Sequence, residues 1–195
     1  MSRPRPAPLV AAGLALALAL AGCSGDAATA GDPTTPQLKT IEAGDDGLIA
    51  PAEREPVPAL SGPTLEGEQL DVADLRGSVV VLNFWASWCA PCVAEAKNLV
   101  TVSERTADDG VVFVGVNIRD DTAAARAFER RHEVPYASIE DQPGALLTRF
   151  RRLVPQTPPT TLLVDRDGRI AARFIGGLTE AELLAPVQAL AAEEA

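Results

Sequence analysis

The chain has 195 residues, room for one compact domain with extra segments and too few for two full domains. A hydrophobic fraction of 47% with only 4% aromatics builds a core from aliphatic side chains and excludes a disordered chain. Seventeen basic against 27 acidic residues give a net charge of −10, which argues against nucleic acid as a partner, because phosphate binding needs clustered Lys and Arg. The single histidine, His132, excludes His-rich metal sites and speaks against a Ser-His-Asp triad. Three cysteines are an odd set, so they do not all serve a structural disulfide framework.

Arg3 and Arg5 precede an apolar stretch over residues 7–21, interrupted by Pro8 and Gly13. That stretch falls short of the ~20 residues a membrane-spanning helix needs. A basic start, a short apolar region and then small residues make residues 1–22 a secretory signal peptide. Leu20-Ala21-Gly22-Cys23 resembles a bacterial lipobox, whose cysteine is lipidated and becomes the mature N-terminus. The other readings are a plain secretory signal, or an uncleaved anchor with an incidental Cys23. Polar Ser24-Gly25-Asp26 directly after Cys23 favours lipid attachment. The protein is then expected on the extracytoplasmic face of the cell membrane, where disulfides persist. Cys89 and Cys92 remain as a pair. Residues 23–56 lack hydrophobic periodicity and are rich in Gly, Ala, Thr, Pro and Asp, as a flexible tether requires.

The pattern changes at Val57, and a folded domain is expected over 57–193. Residues 79–85, Val-Val-Val-Leu-Asn-Phe-Trp, form a β-branched and aromatic run suited to a strand buried on both faces. A helix is expected from Ala90 to Thr106, with Val93, Ala96, Leu99, Val100 and Ser103 on its inner face. Gly110 introduces a second buried strand over 111–117. Asp121 or Thr122 can cap a helix to His132, with Ala124, Ala127 and Phe128 facing inward. A short extended segment at 136–139 and a short helix over 143–151 come next. A strand over 160–165 meets its partner over 169–175 through an Asp167-Gly168 turn. Thr179 and Glu182 form a capping box for a last helix to about Glu193, within which Pro186 should remove a hydrogen bond and kink the chain. This order gives an α/β fold, a mixed sheet with helices on both faces.

Trp88-Cys89-Ala90-Pro91-Cys92 falls between the first buried strand and its following helix. Free amides and the dipole at a helix N-terminus stabilise an anion, so a thiolate there has a lowered pKa. Cys89, at the exposed end, is the candidate nucleophile, and Cys92, one turn deeper, the resolving thiol. Pro91 suits the first helical turn, where its missing N–H costs nothing. A zinc site needs about four ligands, which this pair and His132 do not supply. A purely structural disulfide closing so short a loop would remove little unfolded-state entropy. A redox pair is the reading that fits.

These residues resemble a thioredoxin-like domain of the TlpA/ResA type, a family of membrane-tethered thiol-disulfide oxidoreductases. The likeness runs through Asp74-Leu75-Arg76-Gly77, through Asn83 to Cys92, and through Pro159-Thr160-Thr161 to Asp167-Gly168. It implies a thioredoxin-like fold and a Cys89–Cys92 redox disulfide, flanked by Trp88, Ala90 and Pro91. Pro159 matches the family's cis-proline. Asn83 stands where thioredoxin has a buried acid, and Asp120 matches an acidic position near the active site, where Glu is more usual. Pro158 is a departure. The family usually has a residue there whose N–H pairs with the substrate chain, and proline has none to give.

The resemblance further implies that Cys89 attacks a disulfide in a client protein and Cys92 resolves the mixed disulfide, with no cofactor and no metal. A membrane electron donor re-reduces the pair in relatives, and apocytochrome c is a typical client. The same cysteines can run the other way, as an oxidase or isomerase for exported proteins. A non-enzymatic binder or metal chaperone on this scaffold is a further alternative, although copper carriers use a wider cysteine spacing and a helping histidine. Peroxide reduction fits poorly, because Ala86 stands where a peroxidatic Thr-x-x-Cys pattern needs Thr. His132 and the cluster of Arg149, Arg151 and Arg152 are expected at solvated helix ends. Trp85 is expected in the core and Trp88 on the active-site surface.

Overall fold

The computed structural model describes residues 44 and 47–193. The expected signal peptide, Cys23 and the tether up to residue 43 lie outside them. No helix among the described residues is long and apolar enough to cross a membrane.

A small antiparallel hairpin, β1 (Ser61–Pro63) with β2 (Gln69–Asp71), precedes the main sheet. The sequence reading did not find it. Each strand has three residues, mostly exposed, too short for a period-2 pattern to stand out. β3 (Val79–Trp85) is the central strand, buried along its whole length as the apolar run requires. β4 (Val111–Ile118) lies parallel to it on one side, followed by β5 (Ser138–Asp141), also parallel. On the other side β6 (Thr160–Val164) runs antiparallel to β3, and β7 (Ile170–Ile175) closes that edge. The five-stranded order is β5-β4-β3-β6-β7, a mixed sheet.

Helices cover both faces. Alternation along β3 sends Val79 and Val81 to one face, against α1 (Ala90–Arg105) and α4 (Glu180–Ala191) through Leu99, Val102, Leu183 and Val187. Val80, Leu82 and Phe84 point the other way, toward the short α3 (Ala145–Arg149) and its Leu147 and Phe150. Helix α2 (Thr122–His132), capped by Asp121, sets Ala125 and Phe128 against Trp85.

Several boundaries and faces differ from the pattern. On α1 the buried stripe is Cys92, Glu95, Ala96, Leu99, Val102 and Ser103, while Val93 is exposed. Ala96, Leu99 and Ser103 face inward as expected, Val100 is half-buried, and the charged Glu95 takes a place on the inner face. On α2 Ala125 is buried and Ala124 exposed, for a run of three alanines gives no phase. The expected 143–151 helix contracts to five residues because Gly144 enters it with a left-handed φ of 73°. Helix α4 passes through Pro186 and has the expected capping box. The proline ring is buried, with Gly47 close beside it.

The packed unit also begins before Val57. Leu48 and Ile49 are buried, and Ile49 N–H donates to the Ala171 carbonyl on β7. Arg54 is buried as well. Its guanidinium forms a two-pronged contact with Glu193 at 2.7 Å, reaches Asp165 at 3.2 Å, and its Nε donates to the Ile49 carbonyl at 2.9 Å. The pairing holds the guanidinium above its ordinary pKa, the Glu193 hydrogen bond being the largest cause. Gly- and Pro-rich composition hid two core residues and a buried ion pair. A chain starting at Val57 should therefore be about 3–6 kcal/mol less stable than one starting at Gly44, the worth of burying Leu48 and Ile49. Urea unfolding of the two chains measures the difference, and equal midpoints would mean the segment is dispensable.

Candidate functional site

The site forms where β3 ends. Antiparallel register sets Phe84 opposite Thr160, so the residues leaving β3 lie beside those entering β6. Cys89 is the N-cap of α1, with extended backbone, and its Sγ accepts the Cys92 N–H at 3.2 Å. Pro91 occupies the first helical turn. Cys89 and Cys92 are joined in a disulfide with Cα atoms 5.3 Å apart. In this oxidised state Cys89 is only 4% exposed rather than open to solvent, since its sulfur turns inward to Cys92. The accessible surface is Trp88, 58% exposed, with Ala90 and Pro91.

Sequence reasoning missed Glu95. This carboxyl, 1% exposed, stands one turn beyond Cys92 on the same face of α1. Asn83 Nδ2 donates to its Oε1 at 3.0 Å, and the Leu178 N–H to its Oε2 at 3.0 Å. Asn83 Nδ2 also reaches Thr161 Oγ1 at 3.1 Å on β6. Asn83 thus holds an acid contributed by the helix rather than being one. Burial pushes the Glu95 pKa up to about 7, with the two hydrogen bonds pulling the other way. The detectable signal was an acid at i+3 from Cys92, which helical geometry places inside.

Asp120 is buried at the end of β4 and ties down the chain before the cysteines. It accepts from Ser87 N at 2.6 Å, Ser87 Oγ at 2.8 Å, Asn117 Nδ2 at 2.9 Å and its neighbour Asp121 N at 2.9 Å. The Trp88 indole donates to the Arg119 carbonyl at 3.1 Å, and Arg119 has a left-handed φ of 48°. Its guanidinium reaches Gln156 Oε1 at 2.8 Å, linking this loop to the one that leads into β6. There the Pro158–Pro159 bond is cis, Pro159 is buried and Pro158 half-buried. Gly176 N–H donates to the Pro159 carbonyl at 3.0 Å, and a Cβ on Gly177 would stand 3.4 Å from the Pro91 carbonyl. The large exposed hydrophobic side chains among the described residues are Trp88, Val93 and Ile175, and Ile175 pairs in register with Thr160. All three belong to segments that meet at this end of the sheet.

Other singled-out residues stand apart. His132 stacks on Phe128 with ring centroids 4.4 Å apart, half-buried rather than free in solvent. Arg149, Arg151 and Arg152 are exposed. Among the described residues no group of three or more His, Cys, Asp and Glu could hold a metal ion. Trp85 is in the core, its indole donating to Ser138 Oγ at 3.2 Å across Gly115. No other residue fits at 115, because a Cβ would fall 2.0 Å from that hydroxyl.

Glu95 carries a pH signature. Its folded pKa is raised from 4.5 to about 7, so its contribution to stability is full below pH 4.5 and is lost as pH rises through 7. The difference is roughly 3 kcal/mol. In the oxidised protein, Glu95→Gln should flatten the fall in melting temperature between pH 5 and pH 8. An unchanged slope in thermal melts would mean that Glu95 titrates normally.

Comparison with known proteins agrees with this geometry. The AhpC/TSA family model matches residues 54–173. The thiol:disulfide interchange protein DsbE of Pseudomonas fluorescens biotype C is 36% identical over 145 residues, 71% of this chain and 78% of that one. The thiol-disulfide oxidoreductase ResA of Bacillus cereus is 28% identical over 119 residues, covering 61% and 67%. A secreted thiol-disulfide isomerase from Corynebacterium glutamicum superposes with a TM-score of 0.71 at 29% identity, over 80% of this chain and 99% of that one. A paired Cys89 and Cys92 at a strand-to-helix junction, within such a fold, acts on disulfide-containing substrates. The chain belongs to the AhpC/TSA family, as one of its thiol-disulfide oxidoreductases.

Proposed function

We propose that this protein reduces disulfides in exported client proteins at the extracytoplasmic face of the cell membrane, to which lipid on Cys23 anchors it. Cys89 is the nucleophile. Its Sγ, at the N-cap of α1, accepts the Cys92 N–H, an arrangement that favours a thiolate. It attacks the client disulfide, Cys92 resolves the mixed disulfide, and the pair becomes the Cys89–Cys92 disulfide. A membrane protein carrying electrons from the cytoplasm returns it to the dithiol. No cofactor enters the cycle. Apocytochrome c, with two closely spaced cysteines to be kept reduced, is a client of suitable chemistry.

Glu95 is the observation that carries the reducing direction. Where it is ionised, the buried carboxylate one turn from Cys92 repels the negative charge of a thiolate, so it disfavours the reduced pair and favours the disulfide. That makes the dithiol a better electron donor. Asp120 is a positioning residue, holding Ser87 and thereby the chain that presents Trp88 and Cys89. Trp88, Val93 and Ile175 supply an apolar rim for an extended client segment, next to the cis Pro159. The opposite direction, disulfide formation or isomerisation, is the second reading, favoured by the activity named for the Corynebacterium glutamicum relative.

Equilibration of the folded chain against glutathione and dithiothreitol buffers separates the two. A potential near or below ~−270 mV is expected for the reductase, whereas one near ~−120 mV would make the protein a disulfide donor. Pro158 offers no N–H to a client strand, so docking there rests on its carbonyl and the apolar rim. Pro158→Val should slow client dissociation from the non-covalent complex of a Cys89→Ser/Cys92→Ser chain; unchanged dissociation would count against a role for this position.

A further inference from the structure

Resolution of the mixed disulfide requires Cys92 to lose a proton, and Cys92 is only 2% exposed. A client seated on Trp88 and Pro159 covers the front of the site. Behind Cys92 is a cavity of about 10 Å³, the space one water molecule needs, lined by Asn83, Trp85, Cys92, Phe128 and Tyr136. Tyr136 also lines a second, larger cleft, together with Glu129 and Ser138. Tyr136 therefore borders both the cavity at Cys92 and a cleft that opens on the α2 side of the molecule.

We infer that Tyr136 and Glu129 form a proton exit from Cys92, leading away from the face where the client docks. This rests on the function proposed above and extends it. The Tyr136 ring is fixed by Phe113, with centroids 5.4 Å apart. Burial pushes its phenol pKa up, and the charges of Glu95 from α1 and Glu129 from α2 add to the rise. The hydroxyl thus stays protonated and serves as donor and acceptor at once. Glu129 is the receiving carboxyl. Burial raises its pKa, partly offset by the Ser138 hydroxyl, while Glu66 raises it and Arg126 lowers it. Its Oε1 is buried and makes no hydrogen bond of ordinary geometry, although the Ser138 hydroxyl is near enough to lower its pKa, so the oxygen has room to accept a proton.

The Cys92 S–H bond breaks and the Cys92 Sγ–Cys89 Sγ bond forms. The Cys89 Sγ–client sulfur bond breaks with its electron pair passing to the client, which takes a proton from solvent. The Cys92 proton crosses the cavity to the Tyr136 oxygen as the phenol's own proton passes to Glu129, which releases it to the cleft. Neither Tyr136 nor Glu129 touches the sulfur atoms in this scheme. They act on the rate of proton departure and leave the redox equilibrium alone.

The test uses the full chain, reduced, with dithiobis(nitrobenzoate) as the probe. Attack by Cys89 releases a first equivalent of coloured thiol and resolution by Cys92 a second, read as two phases in stopped flow. Tyr136→Phe keeps the ring against Phe113, and Glu129→Gln keeps the shape. In both, the second phase should slow at least about fivefold near pH 6.5, within the range of general acid–base effects. The first phase and the reduction potential should not move. The gap should close as pH rises past ~8.5, where the thiol ionises unaided. Second-phase rates within about twofold of the parent at every pH, a slowing independent of pH, or a parallel loss in the first phase would each overturn the exit path. If the parent itself releases only one equivalent, it is the Cys89–Cys92 cycle that fails; the Cys92→Ser variant gives that one-equivalent baseline.

Discussion

The site is organised around a carboxyl that has been taken out of water. Glu95 is held by an amide from β3 and a backbone N–H from the approach to α4, and the same β3 amide is shared with a hydroxyl on β6. Three segments far apart in the chain are thereby fixed to the helix that carries both cysteines. Burying such a group costs free energy that burying an apolar side chain would not. The cost is tolerable because the carboxyl is neutral below about pH 7 and because both of its oxygens have donors. Removing either donor would leave an acid without a partner beneath the sulfur atoms, so the packing of the sheet and the electronic state of the redox pair are set together.

A second layer of polar contacts works on the loop rather than the helix. Asp120 gathers four donors, two of them from Ser87, at the point where β4 hands over to α2. The carbonyl just before it receives the Trp88 indole. One turn of backbone at the end of β4 therefore sets both the depth of the cysteine loop and the tilt of its most exposed side chain. Catalytic geometry here is inherited from strand ends, as is usual where ligands meet the carboxyl ends of an α/β sheet.

Much of this was legible in the residues. The run 79–85 and the cysteines that follow fixed a buried strand, a helix start and a redox pair, because each rests on a strong local signal. Thr179 and Glu182 announced their capping box for the same reason. What stayed hidden depended on partners distant in sequence. Glu95 reads as a solvated helix charge until Asn83 and Leu178 are brought to it, 12 and 83 residues away. Arg54 sits in a Pro-rich stretch that reads as tether until Glu193, 139 residues on, closes over it. Asp120 is singled out by the resemblance as an acid near the active site, but its partner Ser87, 33 residues earlier, is not. Local propensity finds elements; it does not find what a buried charge will meet.

The early segment has a mechanical consequence. Ile49 donates to Ala171, Ile170 to Glu55 and Val57 to Gly168, so Ile49 and residues 55–57 lie against β7 and the turn before it, with a 3-10 turn over Pro51–Glu53 between them. Arg54 bolts that segment to the far end of α4. A pull applied at residue 44 would meet the Ile49–Ala171 bond first and then the Arg54 contacts and the bonds at residues 55 and 57, all on the β7 edge of the sheet. None of these bonds involves Cys89, Cys92, Glu95 or Asp120. A load entering at residue 44 would therefore meet this edge before it reached the sulfur chemistry.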